Sequence, residues 1–242
     1  MTPAARPDFD RRAPHYDAHA GVQHEAAAWL AAWLPPRIPG PALELGAGTG
    51  LFTRHLARRA DELRATDISP RMVEAGRLQL PAVAWSQADA AAPPADAAYR
   101  WIFSCSVIQW LPDPAAAFHR WHQTSAPGAR LLAGWFIRGT LADFLQTCPE
   151  TAPFVWRDAG TWLQLAAENG WRPLRHETRT FLRLHPDTLS MLRDIHRIGA
   201  VVPHRFHPGE LRRILRRHDQ LHRGPDGLRT TFTFLRLEAA RS

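Results

Sequence analysis

Leu43-Glu44-Leu45-Gly46-Ala47-Gly48-Thr49-Gly50 is an apolar strand that ends in three alternate glycines, and a helix-like run, Leu51 to Ala60, follows it. Glycine is required where a Cβ would block a ligand or forbid the backbone dihedrals, so this turn lets a nucleoside-bearing ligand lie against bare backbone. The first turn of the following helix offers unpaired N–H groups. Spacing narrows the ligand. A dinucleotide fingerprint reads G-x-G-x-x-G and seats a pyrophosphate on the helix dipole. Here the third glycine comes one residue early, and Glu44 in the strand would repel a pyrophosphate. A ligand carrying a cationic amino group suits the turn better.

Working outward, Gln23 to Leu34 places Ala26, Trp29, Leu30 and Trp33 at helical spacing and stops at Pro35-Pro36, which a helix cannot cross. After the glycine turn, apolar runs at Leu63 to Thr66, Val83 to Gln87, Trp101 to Ser104 and Arg130 to Phe136 alternate with helical patterns at Pro70 to Leu80 and Asp113 to Thr124. Such alternation means βαβ units and a parallel sheet, so the expected fold is a doubly wound α/β domain. Ser69 ahead of Pro70 is an N-cap with proline in the first turn. Beyond Phe136 the alternation loosens, with helices at Gly160 to Asn169, Pro186 to Arg197 and Pro208 to His218 and strands at Thr178 to Leu184 and Thr230 to Leu237. Late extra helices on such a sheet are expected as a lid over its carboxyl edge.

With 242 residues and 45% apolar content, one substantial core is expected, hence a single domain over 1–242, an N-terminal arm and helix over 1–34, and cap insertions within 137–220. No apolar stretch of about 18 residues is present to span a bilayer, and Met1 to Arg6 is no signal segment. Cys105 and Cys148 have no metal or redox spacing, so a reduced cytoplasmic setting and no metal are expected. His204-x-x-His207 lacks an acid or cysteine at matching spacing and reads as surface. The net charge is +7 and every basic residue is arginine. A basic surface favours acidic partners such as nucleic acid, an anionic membrane or an acidic carrier protein; without an RNA-binding aromatic signature nucleic acid is not expected, no membrane partner is expected, and an acidic protein partner stays open.

Asp67 ends the next strand, 17 residues after Gly50. An acid there can accept from both ribose hydroxyls of an adenosyl group, although a turn aspartate ahead of a helix also serves as a cap. Joined to Glu44 and Gly46, Gly48 and Gly50, it resembles the cofactor signature of class I S-adenosylmethionine-dependent methyltransferases, which implies a Rossmann-like, seven-stranded, mostly parallel sheet. That resemblance also implies Asp67 with Ile68 at the ribose edge, Asp89 with Ala90 at the adenine, and Ser104 at the end of the fourth strand.

More specifically, Ser104-Cys105-Ser106-Val107-Ile108-Gln109-Trp110 resembles the S-N-x-x-x-Q-W segment of malonyl-acyl-carrier-protein O-methyltransferases (BioC) of biotin synthesis, with Cys105 in place of asparagine. Phe9 to Asp17 with Gln23 resembles the family's F-x-x-x-A-x-x-Y-D…Q entrance, Gly139-Thr140-Leu141 its G-T/S-L, and Ile198-Gly199-Ala200 its I-G-A. Departures lie late: Phe154-Val155-Trp156-Arg157 replaces N-R-F, and Thr230, Thr231 and Phe232 stand where the last strand has a tyrosine. The resemblance implies Tyr16 as a lid residue over the sulfonium, with Gln109 and Trp110 beside the reaction; packing roles for Tyr16 and Trp110 stay open. It also implies a malonyl-acyl-carrier-protein substrate whose carboxylate an arginine holds, with Arg138 first, then Arg197 and Arg205, and a monomeric enzyme is expected. The alternatives are another small-molecule methyltransferase of the same fold or a cofactor-binding assembly or protein-modifying factor. A nicotinamide oxidoreductase is disfavoured by the glycine spacing.

Overall fold

The computed structural model describes residues 9–198 and 206–242. Ahead of the sheet lie α1 (Phe9–Arg12), α2 (Tyr16–His19) and α3 (Gly21–Ala31). An alternating part follows: β1 (Ile38–Leu45), α4 (Thr53–Leu56), β2 (Ala60–Asp67), α5 (Pro70–Gln79), β3 (Ala84–Gln87), β4 (Tyr99–Cys105), α6 (Pro114–Gln123) and β5 (Ser125–Phe136). The remainder is α7 (Ala142–Thr147), α8 (Ala159–Glu168), β6 (Trp171–His185), α9 (Thr188–Arg197), α10 (Pro208–His222), β7 (Arg223–Gly224) and β8 (Gly227–Arg241).

The strands form one mixed sheet in the order β3-β2-β1-β4-β5-β8-β6, with the two-residue β7 paired to β8. Strands β1 to β5 pair in parallel, and β8 runs antiparallel between β5 and β6. The doubly wound, mostly parallel sheet expected from the sequence is therefore present. Its strand order reverses between β1 and β4, and ligands bind such sheets in the crevice outside the carboxyl ends at that point.

Local chemistry sets the helix starts. The hydroxyl of Ser69 accepts from Met72 N at 3.1 Å, and the carboxylates of Asp113, Asp158 and Asp187 accept from the third residue of their helices at 3.0, 2.8 and 2.7 Å. Three expectations change. The run Leu51 to Ala60 is helical only over Thr53–Leu56, because Ala60 already pairs with Ile38 and opens β2. Strand β6 extends far beyond Thr178 to Leu184, because its ladder with β8 continues from Trp171 to His185. The first long helix stops at Ala31 rather than Leu34.

One face of the sheet buries Trp121, Trp135, Trp162 and Trp171 with Phe118, and the ring centroids of Trp135 and Trp162 lie 5.3 Å apart. Another cluster packs Trp85 of β3 against α5, where a Cβ on Gly76 would lie 2.2 Å from the indole. Alanine in a helix interior normally gains about 1 kcal/mol over glycine. Overpacking costs about 1–3 kcal/mol, so Gly76→Ala is expected to lower the urea midpoint, and Trp85→Leu in the same chain is expected to reverse the sign of the alanine effect.

Candidate active site

The turn after β1 reverses through three left-handed glycines, with φ of +68° at Gly46, +57° at Gly48 and +102° at Gly50. A Cβ on Gly46 would also lie 2.2 Å from the Val107 side chain, whereas the space above Gly48 is open. Asp67 holds this turn from β2: Oδ2 accepts from Gly48 N and Oδ1 from Ser69 N, both at 2.9 Å. Burial pushes the Asp67 carboxyl above the usual range, and these backbone N–H groups oppose the shift.

Glu44 is 1% exposed, and its Oε2 has no hydrogen-bond partner among the described residues. Its pKa is pushed up to about 8, chiefly by burial, with the Thr53 hydroxyl opposing and the Asp67 charge adding to the rise. Ile68 stands uncovered, 42% exposed, beside Asp67. Asp89 accepts from Ala91 N at 2.9 Å, and the carbonyl of the buried Ala90 accepts from the Trp121 indole at 2.7 Å. Ser104 is buried and donates to the Leu45 carbonyl at 3.1 Å, so its hydroxyl ties β4 to β1. An adenosyl ligand with a cationic amino group fits this set: an orphaned buried acid, an open glycine cradle and an uncovered apolar side chain next to an acid.

The N-terminal arm lies across this edge on two acids whose roles the sequence left unassigned. Asp17 accepts from the Thr49 hydroxyl, from Arg54 at 3.4 Å and from Gln79 at 3.3 Å. Asp10 accepts from the Ser69 hydroxyl at 2.6 Å and pairs with Arg71 at 3.5 Å. Their place beside Phe9 and Tyr16 in the quoted entrance segment was the available signal. Tyr16 sits beside Phe9, and burial followed by the nearby Cys105, Asp67 and Asp17 raises its pKa, so the phenol stays a neutral donor.

Next to the arm lies a mostly apolar cavity of about 450 Å³, bounded by the turn after β4, the ends of β5 and β8, α7, α9 and the start of α10. Tyr16, Gln109 and Trp110 all line it. Gln109 donates to the Ser106 carbonyl at 3.1 Å, and its Oε1, like Oε1 of Gln23 on the same wall, is buried without a partner among the described residues. The Trp110 ring meets Phe9 at 5.5 Å and Phe154 at 4.8 Å, so it closes the cavity and not the core.

Three cationic or basic side chains of α9 line the cavity: Arg193, His196 and Arg197. Arg12 reaches across from the arm to His196 Nε2 at 2.7 Å, and Arg197 pairs with Asp194 at 3.1 Å. The exposed side chain of Arg193 makes no hydrogen bond or ion pair among the described residues; Asp187, held below the usual carboxylate range chiefly by hydrogen bonds from Ser190, feels its charge only as a minor addition. No local sequence pattern distinguishes Arg193 from the other arginines of the chain. The structure places the leading expectation, Arg138, elsewhere: its side chain is 68% exposed, pairs with Asp158 at 3.5 Å and lies outside the cavity lining. It follows the buried Ile137 and its N–H bonds the Arg157 carbonyl at 2.9 Å, which leaves its side chain on the outer side. Arg205, Gly199, Ala200 and His204 lie outside the described residues. Among the described residues no group of three or more His, Cys, Asp or Glu could hold a metal ion, and no helix is long and apolar enough to cross a membrane.

Residues 43–133 match the family described as a methyltransferase domain. The biotin biosynthesis bifunctional protein BioHC of Cellvibrio japonicus is 31% identical over 84% of this chain, which spans 41% of that relative's length. The malonyl-[acyl-carrier protein] O-methyltransferase of Hahella chejuensis is 31% identical over 79% of this chain and 72% of its own length. Among solved structures, the YcgJ protein of Bacillus subtilis superposes with a TM-score of 0.67 at 13% identity, covering 90% of this chain and 98% of that one.

The raised pKa of Glu44 has a signed consequence. Between about pH 4.5 and 8 the folded state holds a proton that the unfolded state releases, so stability falls as pH rises through that window. With each unit worth about 1.4 kcal/mol, the unliganded chain is expected to lose on the order of 4 kcal/mol between pH 5 and 9 from this group. Glu44→Gln should flatten that slope in urea denaturation measured across the range; parallel profiles for the two proteins would contradict the assignment.

Proposed function

This chain belongs to the malonyl-acyl-carrier-protein O-methyltransferase family and is an S-adenosylmethionine-dependent methyltransferase, and from that premise we propose that it methylates the free carboxylate of a malonyl thioester on acyl-carrier protein in biotin synthesis. The observation that carries this reading is the makeup of the cavity: an apolar wall, an arginine with no ion pair among the described residues, and two buried oxygen acceptors. A carboxylate suits Arg193, because a paired guanidinium contact is strong and directional. Gln23 Oε1 and Gln109 Oε1 suit the amide N–H groups of a pantetheine arm, which a free diacid lacks.

Glu44, the Gly46 to Gly50 turn, Asp67 with Ile68 and Asp89 with Ala90 would hold the cofactor, and when bound it supplies an electrophilic methyl group on a sulfonium. The acceptor carboxylate, with an ordinary pKa of about 4, is ionised at neutral pH and needs no general base. Nothing in the cavity contradicts that economy: Tyr16 keeps its proton and Gln109 has none to exchange. The work left to the chain is alignment and exclusion of water. In this reading the domain is single, the arm over 1–34 and the insertions within 137–220 close over the two reactants, and Tyr16 and Trp110 form the seam between them. Arg197 is secondary to Arg193 because Asp194 already engages it.

Calorimetry with S-adenosylhomocysteine on Asp67→Ala is expected to show at least a tenfold loss of affinity, about 1.4 kcal/mol for a lost acceptor. An unchanged affinity would remove Asp67 from the cofactor site.

The substrate is tested by incubating the protein with labelled S-adenosylmethionine and malonyl-carrier protein, against malonyl-CoA and a panel of free acids. Transfer to malonyl thioesters is expected, and transfer confined to free acids would favour a different small-molecule methyltransferase. Arg193→Ala should lower kcat/KM by about tenfold or more, in line with the roughly 1.5–3 kcal/mol carried by hydrogen bonds to charged groups. Cofactor affinity should hold in that variant, and Arg138→Ala should stay within about twofold of the unchanged chain in both measurements.

A further inference from the structure

Helix α10 presents Arg212, Arg213, Arg216 and Arg217 on a single outward face, since positions i, i+1, i+4 and i+5 share one side of a helix. All four are exposed, and none makes a hydrogen bond or ion pair among the described residues. Like charges four apart repel, so in the free chain the arrangement costs a little and returns nothing. The acid Asp219 does not relieve it, because its carboxylate is turned inward to Thr188 N at 2.8 Å. The opposite side of the same helix belongs to the cavity: Leu211 lines it, and Ile214 packs against the cluster of Phe144, Met191 and Ile195.

We propose that this arginine face of α10 is the docking surface for an acidic carrier protein, whose thioester-bearing arm passes the start of the helix and enters the cavity between α9 and α10. The proposal rests on the thioester reading above and adds where the partner sits. Charge complementarity selects the partner: four guanidinium groups crowd about 8 Å of helix axis at 1.5 Å per residue, a density of positive charge that suits the acidic surface of a carrier protein. Arg193 of α9 adds a further positive charge at the cavity lining, where the arm would enter. Such contacts steer encounter and weaken with salt, because exposed charges are screened over about 8 Å at physiological ionic strength.

The test compares malonyl-carrier protein with malonyl-N-acetylcysteamine, a thioester with no carrier to dock. The double variant Arg212→Glu/Arg216→Glu is expected to raise KM for the carrier substrate by about tenfold or more while leaving kcat and both constants for the small thioester unchanged. Raising salt should weaken the carrier substrate for the unchanged chain and have much less effect on the variant. Equal changes for the two substrates, or no change for the carrier, would overturn the proposal. Should charge reversal compromise folding, the neutral variant R212Q/R213Q/R216Q/R217Q replaces it under the same criteria. If the unchanged chain methylates neither thioester, the thioester reading fails by itself. Docking is then decided by titrating labelled acidic holo-carrier: resonance shifts lost in the variant support it, and absence of shifts with the unchanged chain overturns it.

Discussion

The tie between Asp67 and the backbone of Gly48 is the constraint on which the rest of the site depends. Non-glycine residues held in strained regions of backbone space cost on the order of 1–3 kcal/mol each, and this turn has three consecutive alternate positions with positive φ. Glycine removes that cost but leaves the turn free to wander, and the carboxylate at the end of β2 removes the freedom with one hydrogen bond to the turn and another to the start of α5. Because β1 is flanked by β2 and β4, fixing its end also fixes the neighbouring segments. Val107 packs where a Gly46 side chain would be, and Ser104 reaches the Leu45 carbonyl. The buried Glu44 is the part left unsatisfied, and a cationic group is what its free oxygen lacks.

Around that edge the enclosure is assembled from segments far apart in the chain. Asp10 and Asp17 fasten the arm to the ends of β1 and β2 by hydrogen bonds to Ser69 and Thr49. Aromatic contacts then carry the enclosure onward, from Phe9 to Trp110, from Trp110 to Phe154 and from Phe154 to Trp156. Each such pair contributes about 0.5–1.5 kcal/mol beyond its buried area, enough to hold a lid without making it permanent. Phe154 to Arg157, in place of the family's N-R-F, thus supplies the ring that meets Trp110 and, in Trp156, the ring that backs it.

Two arginines show how differently the fold answers a cation. Arg236 is 6% exposed and points inward from β8, but it lies over the rings of Trp29 and Trp33 and pairs with Glu177 at 2.5 Å. Its charge is fully answered within the fold, where it joins β8 to α3. Arg193 borders the apolar cavity and makes no ion pair among the described residues, so its charge is free to meet an incoming anion at the rim. Arg138, open to solvent and already beside Asp158, has neither property.

What the sequence determined by itself was whatever depends on neighbours a few residues away. The glycine turn, the acids at the ends of β1 and β2, the alternation of strands and helices and the capping residues Ser69 and Asp113 are local patterns, so the doubly wound fold and the cofactor edge were legible. Local pattern failed where a distant partner decided the outcome. Residues 57–60 leave the helix-like run because Ile38 pairs with Ala60, and β6 runs the full length that β8 can match. The cavity was equally invisible. Arg12 meets His196 across 184 residues, and whether Trp110 closes a core or a cavity depends on Phe9 and Phe154. Choosing Arg193 over Arg138 required knowing which face of each element is covered, and that is settled only when the chain packs against itself, because side-chain direction fixes a candidate and tertiary contact decides whether it is already engaged.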